Sequence, residues 1–332
     1  YDIHIITADL KGRATHFALS DKITLHDVGV SEKFMLHAYG RRLNKILCEI
    51  RPDICVSVGG RDIFCLPSCT DGSIKVSEFH FSHDKYAVKY GGSFFGNIYA
   101  RFRMRQIEKV AAKLDKFIVL TKSDKKDWEP FVPNVTSIYN PLTFKSEEVA
   151  ALDNEKCIAI GRLESQKNFR DLVAAWKYVA EEYPDWVLEI YGNGSLKKSL
   201  QKQITSLGLD LQVRLMGSSS DIRSKMLDSS CLVMSSAYEG FPMVLLEAVE
   251  TGLPMVSYDC PKGPAEIIID GKSGYLVKPG DVKGLARRVC DVISDAGRRK
   301  EFGAMAKKTA AQYSIDRIME QWKTLFEGLM AK

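Results

Sequence analysis

Residues 238–248 read YEGFPMVLLEA, and this stretch decides the fold. The short run 231–234 comes just before it and predicts a buried strand, because β-type residues fill it and small residues bound it. After the turn, apolar residues recur at helical spacing behind Pro242, a residue that the first turn of a helix accepts. A strand, a tight turn and a helix in this order point free backbone N–H groups at an anion.

The same stretch carries two glutamates, Glu239 and Glu247. Glu239 falls at the mouth of the predicted anion site, and Glu247 falls about one turn inside the helix. A carboxylate so close to a phosphate would repel it, so we interpret both side chains as acceptors of hydrogen bonds from sugar hydroxyls. A phosphate beside sugar hydroxyls indicates a nucleotide-sugar ligand.

Strands and helices alternate along the chain on both sides of this stretch. The predicted strands of the second half lie near 157–160, 186–191, 212–215, 231–234, 254–258 and 274–277. The predicted helices lie near 168–182, 195–207, 221–228, 243–251, 264–269, 281–294, 297–312 and 315–330. Alternation of this kind predicts a parallel sheet covered on both faces, with ligands at the carboxyl ends of its strands.

The first half has a weaker version of the same pattern. Its predicted strands are 3–7, 54–58, 74–79 and 117–120, and its predicted helices lie near 33–49, 97–114 and 122–129. Asn140-Pro141 closes this half, since the residue before a proline leaves the helical region. The polar stretch 145–154 then looks like a linker.

These patterns predict an α/β protein with two Rossmann-like, doubly wound domains that face a cleft. We place the first domain at 1–145, the second at 146–314, and a final helix at 315–332. A doubly wound domain usually opens with a strand, a glycine-rich turn and a helix, and none of these precedes Tyr1. We therefore expect the first domain of this sequence to lack its opening strand and helix.

Composition favours a cytoplasmic enzyme and excludes several other classes. The 332 residues suit about two domains, and the net charge of +5 is too small to indicate a nucleic-acid partner. No apolar run approaches the roughly 20 residues that span a bilayer. The eight cysteines are scattered, which suits a reducing compartment better than a disulfide framework.

The loop after the strand at 157–160 has the residues expected of a diphosphate site. Gly161 allows a close approach of the backbone, while Arg162 and Lys167 place two cations beside a helix that Asn168 is expected to cap. A solvated loop with two surface charges is the alternative. The position at the carboxyl end of a strand favours the diphosphate.

Two further loops give weaker signals. Gly192 and Gly194 form only the first half of a dinucleotide fingerprint, because Lys197 occupies the position of the third glycine. Taken alone, these two glycines favour an ordinary turn. Met216 follows the next strand, where the edge of a nucleobase would rest on backbone groups.

All six histidines fall in the first 83 residues, and His80 and His83 follow a predicted strand. We consider a catalytic role for His80, facing the cleft, against a structural one, and regard His83 as the weaker candidate. The sequence contains no Asp-x-Asp, no phosphate-loop signature and no zinc-site spacing. We therefore expect no metal and no cofactor, with Arg162 and Lys167 neutralising the diphosphate instead.

The segment 83–116 mixes eight Lys and Arg residues with aromatic ones. Basic and aromatic residues in this mixture are typical of a surface that docks on an anionic membrane. A helix with a solvated basic face and a buried aromatic face is the alternative.

Together these motifs resemble the retaining glycosyltransferases of family 4, which have the GT-B fold. The resemblance rests on GRLxxxKN at 161–168, YGNG at 191–194, the glutamate pair in 238–248 and the GLP start of a strand at 252–254. It is close in the second half and looser in the first. It includes the final helix at 315–332, which in such proteins crosses back to the first domain. The form DCPKGPAEII at 259–268 is similar to that of members that build bacterial surface polysaccharides.

The resemblance implies a site made of residues from both domains. Arg162 and Lys167 would hold the donor diphosphate, Glu247 the ribose, and Glu239 the donor sugar, with His80 near the reacting carbon. The remaining residues implied to bind the donor are Gly161, Gly192, Gly194, Met216, Gly240, Phe241, Pro242, Met243 and Val244.

The implied reaction moves a hexose or N-acetylhexosamine from a nucleotide-sugar, most simply UDP-linked, to a saccharide, with retention of configuration. The acceptor would be linked to polyprenyl diphosphate, and the enzyme would lie peripherally at the inner face of the plasma membrane. A non-catalytic nucleotide-sugar-binding protein would satisfy most of the same motifs. A nicotinamide-dependent oxidoreductase fits less well, because Gly161-Arg162 stands where its glycine fingerprint should begin.

Overall fold

The computed structural model describes residues 1–15, 18–30 and 35–331, and its first half contains two groups of parallel strands. The strands are β1 (Ile3–Thr7), β2 (Ile23–Asp27), β3 (Ile54–Ser57), β4 (Ile74–Phe79), β5 (Lys116–Val119) and β6 (Val135–Ser137). β1 pairs with β2, and the other four form a sheet in the order β3-β4-β5-β6. The predicted strands are confirmed, but β2 and β6 were not predicted.

In the described part of the first half, four α-helices accompany these strands. They are α1 (Leu36–Ile50), α2 (Lys85–Tyr90), α3 (Phe94–Ala111) and α4 (Lys122–Trp128). The position 33, where we expected α1 to begin, lies outside the described residues. Helix α3 begins three residues earlier than predicted because Ser93 caps it, accepting a hydrogen bond from the backbone N–H of Gly96 at 3.0 Å.

The second half forms one six-stranded parallel sheet. Its strands are β7 (Lys156–Ile160), β8 (Val187–Tyr191), β9 (Val213–Gly217), β10 (Cys231–Met234), β11 (Met255–Tyr258) and β12 (Gly274–Val277). The order is β12-β11-β10-β7-β8-β9, so the direction of winding reverses between β7 and β10. In open sheets of this kind, ligands bind at that switch point.

Helices cover both faces of this sheet, and a separate apolar cluster lies between the sheet and the helices on each face. They are α5 (Phe169–Glu182), α6 (Lys197–Ser206), α7 (Ile222–Leu227), α8 (Met243–Thr251), α9 (Pro264–Ile267), α10 (Val282–Ile293) and α11 (Ala296–Thr309), followed by α12 (Ile315–Met330). Short 3₁₀ helices occupy Asp62–Phe64, Leu66–Ser68, Ser165–Lys167 and Ala310–Tyr313. Among the described helices, none is both long and apolar enough to cross a bilayer.

The stretch 145–154 is packed against the second sheet's helices rather than forming a loose linker, which corrects our reading of its polar composition. The backbone N–H of Ser146 donates to the Glu250 carboxylate at 2.6 Å, and the N–H of Ala150 donates to the Thr251 carbonyl at 2.8 Å. Ala150 and Leu152 are buried among the residues around α8 and α11.

Helix α12 packs on the sheet of the first half. Its apolar residues recur at helical spacing and form one stripe. The stripe consists of Ile318, Trp322, Leu325 and Leu329, and it lies with Val76 of β4 and Ile118 of β5 in one apolar cluster. The last helix of the described chain thus covers a sheet formed by the first half.

A polar contact joins the two halves at α4. The Glu266 carboxylate, in the second half's α9, accepts hydrogen bonds from the Ser123 N–H in the first turn of α4 (2.7 Å) and from the Tyr139 hydroxyl (2.6 Å). Burial alone would raise the pKa of Glu266, but the hydrogen bonds from Tyr139 and Ser123 outweigh it and lower that pKa. The ammonium of Lys262 pairs with Asp127 beside this contact.

We expect Ile318→Ala to destabilise the first sheet. The side chain is 0% exposed, so the truncation leaves a cavity and should cost about 2–5 kcal/mol. Denaturant unfolding measures this loss, and hydrogen exchange should show faster exchange in β4 and β5 than in β7 and β8. Ile315→Ala is the matched control, because Ile315 is 56% exposed and should change stability by less than about 0.5 kcal/mol. Equal losses in both variants would contradict this role of α12.

Candidate active site

Most of the residues singled out in the second half meet at the switch point of its sheet. The loop after β7 carries Gly161, Arg162 and Lys167, and the loop after β10 carries Glu239. Because β7 and β10 are neighbours in the sheet, these two loops leave it side by side. The geometry therefore assembles in one place residues that are far apart in the sequence.

Hydrogen bonds fix these two loops to each other. The Ser235 hydroxyl donates to the Lys167 carbonyl at 3.0 Å, and the N–H of Ala237 donates to the Gln166 carbonyl at 2.8 Å. The Gln166 side chain donates in turn to the carbonyl of Tyr238 at 3.1 Å. These three bonds hold the backbone on both sides of the site at a set distance, as a preorganised site requires.

Lys167 and Glu239 form an ion pair at the centre of the site. Their Nζ and Oε1 atoms are 2.7 Å apart, and Glu239 is only 7% exposed. Such a buried charge needs its partner, because removing one side of the pair leaves the other uncompensated. Lys167 retains two further N–H donors for an anion, while Arg162 is exposed at the rim.

Glycines allow the loops after β7 and β8 to touch. A Cβ on Gly192 would overlap the carbonyl oxygen of Gly161, and one on Gly194 would overlap the backbone of Leu163. The N–H of Gly192 donates to the Gly217 carbonyl at 2.8 Å, which extends the contact to the end of β9. Met216 lies exposed beside that glycine. These glycines are therefore required by backbone packing as well as suited to a bound phosphate.

The amino terminus of α8 faces the same region without a side-chain cap. Pro242 is the residue before the helix, and no side chain accepts from the first N–H groups, those of Met243 and Val244. The side chain of Val244 is buried in the apolar core, and that of Phe241 stacks on Tyr139 at 5.3 Å. Only backbone groups of Phe241 and Val244 can therefore face a ligand here.

Asn168 does not cap α5 as the sequence suggested. It has a left-handed backbone (φ 48°), and its side chain donates to the Asp171 carboxylate at 2.8 Å instead of accepting from the helix. The left-handed turn, which asparagine tolerates better than most residues, lets the chain pass directly from the 3₁₀ helix of Lys167 into α5.

Glu247 lies about one turn into α8. Its carboxylate accepts a hydrogen bond from the Thr143 hydroxyl at 3.2 Å. Burial raises the pKa of Glu247, and the hydrogen bond from Thr143 opposes that rise. A half-buried carboxylate with one donor in place has lone pairs left for further donors, such as the hydroxyls of a ribose.

His80 lies opposite the glutamate loop, although it belongs to the first half. A Cβ on Gly240 would overlap the His80 carbonyl oxygen and would lie 3.3 Å from the Cα of Phe81. The His80 imidazole is 3.3 Å from the Glu78 carboxylate. His83 is held differently, with Nε2 3.0 Å from Glu108. Of these two histidines, it is His80 whose backbone lies against the glutamate loop.

Sequence reasoning missed three residues that contribute to this geometry. Thr143 binds Glu247, Asn140 donates to the sulfur of Met243 at 3.4 Å, and Glu266 joins the two halves. The sequence assigns the Asn140-Pro141 step to the end of the first half and to the family resemblance, but not to a contact with Met243. No local pattern marks any of the three, because each acts on a partner that is distant in the sequence.

No group of three or more His, Cys, Asp or Glu side chains within the described ranges could hold a metal ion. Of the two cationic residues in the loop after β7, Lys167 contacts Glu239 and Arg162 is exposed.

Comparison with known proteins gives sequence relatives over most of the chain. An uncharacterized glycosyltransferase of Haemophilus influenzae is 25% identical over 97% of this chain and 90% of its own length. The amylovoran biosynthesis glycosyltransferase AmsD of Erwinia amylovora is 32% identical over 64% of this chain and 62% of its own length.

A solved structure shares the fold. TarM of S. aureus, crystallised as a point mutant with UDP, fondaparinux and alpha-GlcNAc-glycerol, superposes with a TM-score of 0.74 at 23% identity. The match covers 87% of this chain and 59% of TarM, so the chain spans about three fifths of that protein. The two α/β units described above correspond to the two Rossmann-like domains of the GT-B architecture.

The model of the family described as glycosyl transferases group 1 matches residues 143–309, which is half of the chain and contains every second-half residue of the candidate site. The chain therefore belongs to the group 1 glycosyl transferases and has the two-domain GT-B fold.

Proposed function

We propose that this protein transfers a hexose or N-acetylhexosamine from a UDP-sugar to a saccharide acceptor, with retention of anomeric configuration, as in glycosyltransferase family 4. The observation that carries the proposal is the Lys167–Glu239 pair, at 2.7 Å, between two loops that meet at the switch point. UDP as the nucleotide is supported by its presence in the TarM complex.

The donor diphosphate would lie between the loop after β7 and the amino terminus of α8. Arg162 and Lys167 supply positive charge, and the N–H groups of Met243 and Val244 supply donors aimed along the helix axis. Charge develops on this diphosphate as the sugar leaves. Stabilising that charge with groups already in place is the main catalytic contribution expected here.

The nucleoside and the sugar would lie on opposite sides of that diphosphate. Glu247, held by Thr143, would accept hydrogen bonds from the ribose, and Met216 would border the base. Glu239 would accept from hydroxyls of the donor sugar, with His80 near the reacting carbon across from Gly240.

Retention through a front-face transfer fits the state of Glu239. A carboxylate acting as a nucleophile must reach the anomeric carbon, whereas Glu239 is buried and engaged by Lys167. An acceptor hydroxyl approaching on the face that the leaving diphosphate vacates needs no such nucleophile.

The proposed function is tested by screening donors and then assaying transfer without metal. We expect a UDP-sugar to raise the melting temperature more than GDP- or ADP-sugars do, because a ligand at 100 times its Kd adds about 2.7 kcal/mol of stability. Transfer from that donor to oligosaccharide acceptors should continue after exhaustive chelation, since Arg162 and Lys167 neutralise the diphosphate. Binding without any transfer would indicate a non-catalytic nucleotide-sugar protein, and an absolute need for Mg²⁺ or Mn²⁺ would contradict the assignment of these cations.

Substitution of the two glutamates should affect different steps, nucleotide binding for Glu247 and turnover for Glu239. Glu247→Ala should weaken UDP binding roughly tenfold to a hundredfold, because it removes hydrogen bonds to a charged acceptor worth about 1.5–3 kcal/mol. Glu239→Ala should instead reduce kcat by roughly a hundredfold or more. Calorimetry and initial rates measure the two effects, with Glu181→Ala on the exposed face of α5 as the control. Unchanged UDP affinity in Glu247→Ala would refute its contact with the ribose.

We further propose that the first domain docks on an anionic membrane through α3. Phe94 and Phe95 are 74% and 82% exposed, and the apolar surface continues along the helix through Ile98, Tyr99 and Phe102. The exposed cations Arg101 and Arg105 lie on the same helix. Aromatics suited to shallow insertion beside cations suited to anionic head groups match a negatively charged lipid surface. Such docking would place the protein at the inner face of the plasma membrane, where a polyprenyl-diphosphate-linked acceptor lies.

Vesicle co-sedimentation tests the docking surface. We expect binding to vesicles that contain anionic lipid, a loss of binding as salt is added, and at least a tenfold loss when Arg101 and Arg105 are both changed to glutamate. Changing Arg41 and Lys45 of α1 to glutamate alters the net charge equally at exposed positions and serves as the control. Equal binding to neutral vesicles, or equal losses in the two double variants, would favour a soluble acceptor.

A further inference from the structure

A second concave site lies in the first domain, separate from the loops at the switch point. It is a cavity of about 870 Å³. Its lining combines the segment after β1, residues between 59 and 64 in the connection from β3 to β4, the end of β4, and residues of α1, α2 and α3. None of the residues proposed above to bind the donor lines it.

The charge of this cavity is strongly one-sided. Among the described residues that line it, five carry cationic side chains and one, Asp9, carries a carboxylate. The five are Lys11, Arg13, Arg61, Lys85 and Arg103. A neutral saccharide is usually held by carboxylate and amide acceptors, and within the described part of the lining these are Asp9 and the Gln106 amide. The lining therefore suits an anion better than an uncharged sugar.

Lys85 shows this excess of positive charge most clearly. Its ammonium lies 3.0 Å from the centre of the Phe81 ring, and no carboxylate among the described residues contributes to its pKa. Burial, followed by the nearby charge of Lys89, lowers the pKa of Lys85 to about 8. A bound anion would offset this cost of desolvation, because it favours the charged form of the lysine.

Aromatic side chains also lie against the second of these cations, Arg103. The Arg103 guanidinium lies 5.8 Å from the ring of Phe64 and 5.9 Å from that of Tyr86, and its Nη1 donates to Gln106 at 2.7 Å. An arginine held in this way keeps further N–H groups in the planar fork that matches phosphate oxygens. The aromatic walls also suit the apolar face of a sugar or an alkyl chain next to the phosphate.

The cavity shares a wall with the candidate active site. Phe79 and Phe81 both line it, and they flank His80, whose backbone contacts Gly240. A ligand in the cavity would therefore lie on the first-domain side of the position proposed for the donor sugar. That is where the second substrate of a transfer must approach.

We propose that this cavity binds a phosphate group carried by the acceptor, so that the acceptor is a phosphate-bearing saccharide and not a neutral one. The inference deepens the proposed transferase function and rests on it. Lys85 and Arg103 hold the phosphate oxygens, and the rings of Phe81 and Tyr86 contact the part of the acceptor attached to that phosphate.

Calorimetry with the donor site filled by saturating UDP tests the inference. The probes are inorganic pyrophosphate, glucose 1-phosphate and farnesyl diphosphate, with methyl α-glucoside as the neutral counterpart. We expect the phosphate probes to bind and the glucoside not to bind. Tightest binding of glucose 1-phosphate identifies a sugar phosphate as the carrier, and tightest binding of farnesyl diphosphate identifies an isoprenoid diphosphate. Equal affinity for the glucoside and glucose 1-phosphate would overturn the proposal.

Substitutions assign the binding to this cavity. Lys85→Gln and Arg103→Gln should each weaken the phosphate probes about tenfold, which corresponds to about 1.4 kcal/mol, while UDP affinity stays within about twofold. Lys126→Gln removes the same charge from an exposed position on α4 that does not line the cavity, and it should have no effect. Unchanged probe binding in both cavity variants, or an equal loss in Lys126→Gln, would overturn the assignment.

The same experiment separates failure of this inference from failure of the proposed function. A protein that binds no UDP contradicts the transferase proposal itself. A protein that binds UDP and transfers sugar, yet shows no phosphate binding in the cavity, contradicts only the inference about the acceptor.

Discussion

The arrangement of the two domains depends on the carboxylate of Glu266, which belongs to the second domain and accepts hydrogen bonds from the first. Glu266 accepts from the Ser123 N–H at the start of α4, where a helix leaves N–H groups without partners and favours negative charge. Tyr139 donates to the same carboxylate, and the Tyr313 hydroxyl donates to the carbonyl of Glu266 at 2.7 Å. These bonds hold α9 of the second domain against α4 of the first, and the approach of the His80 backbone to Gly240 joins the same two domains.

The second domain could be predicted from sequence because its signals are local. Strands buried on both faces, such as β10 and β11, appear as short apolar runs, and small residues or glycines mark the turns after them. Since ligands on parallel sheets lie beyond the carboxyl ends of strands, the loops after β7 and β10 could be singled out without knowing the strand order. That these two loops lie side by side could be known only from the order of the strands in the sheet.

The first domain was harder because its missed elements lack these signals. Strand β2, Ile23–Asp27, is largely exposed and includes His26 and Asp27, so it has no apolar run. Strand β6 has only three residues, and α2 has no buried side chain. In the site, the pairs Lys167–Glu239, Thr143–Glu247 and Ser123–Glu266 join residues 72, 104 and 143 positions apart. Single-sequence patterns contain no information on such pairs.

The packing of α12 on the first sheet has a consequence for how the protein is made. During synthesis, strands β3 to β6 emerge before the second domain, and α12 emerges after it. The apolar stripe of α12 around Ile318 covers Val76 and Ile118 of the first sheet. During that interval one face of a sheet rich in valine and isoleucine stays open to water, which is the condition under which nascent chains attract chaperones or aggregate. Completion of the first domain is thereby delayed until the second domain has emerged, so neither half of the candidate site is finished much before the other.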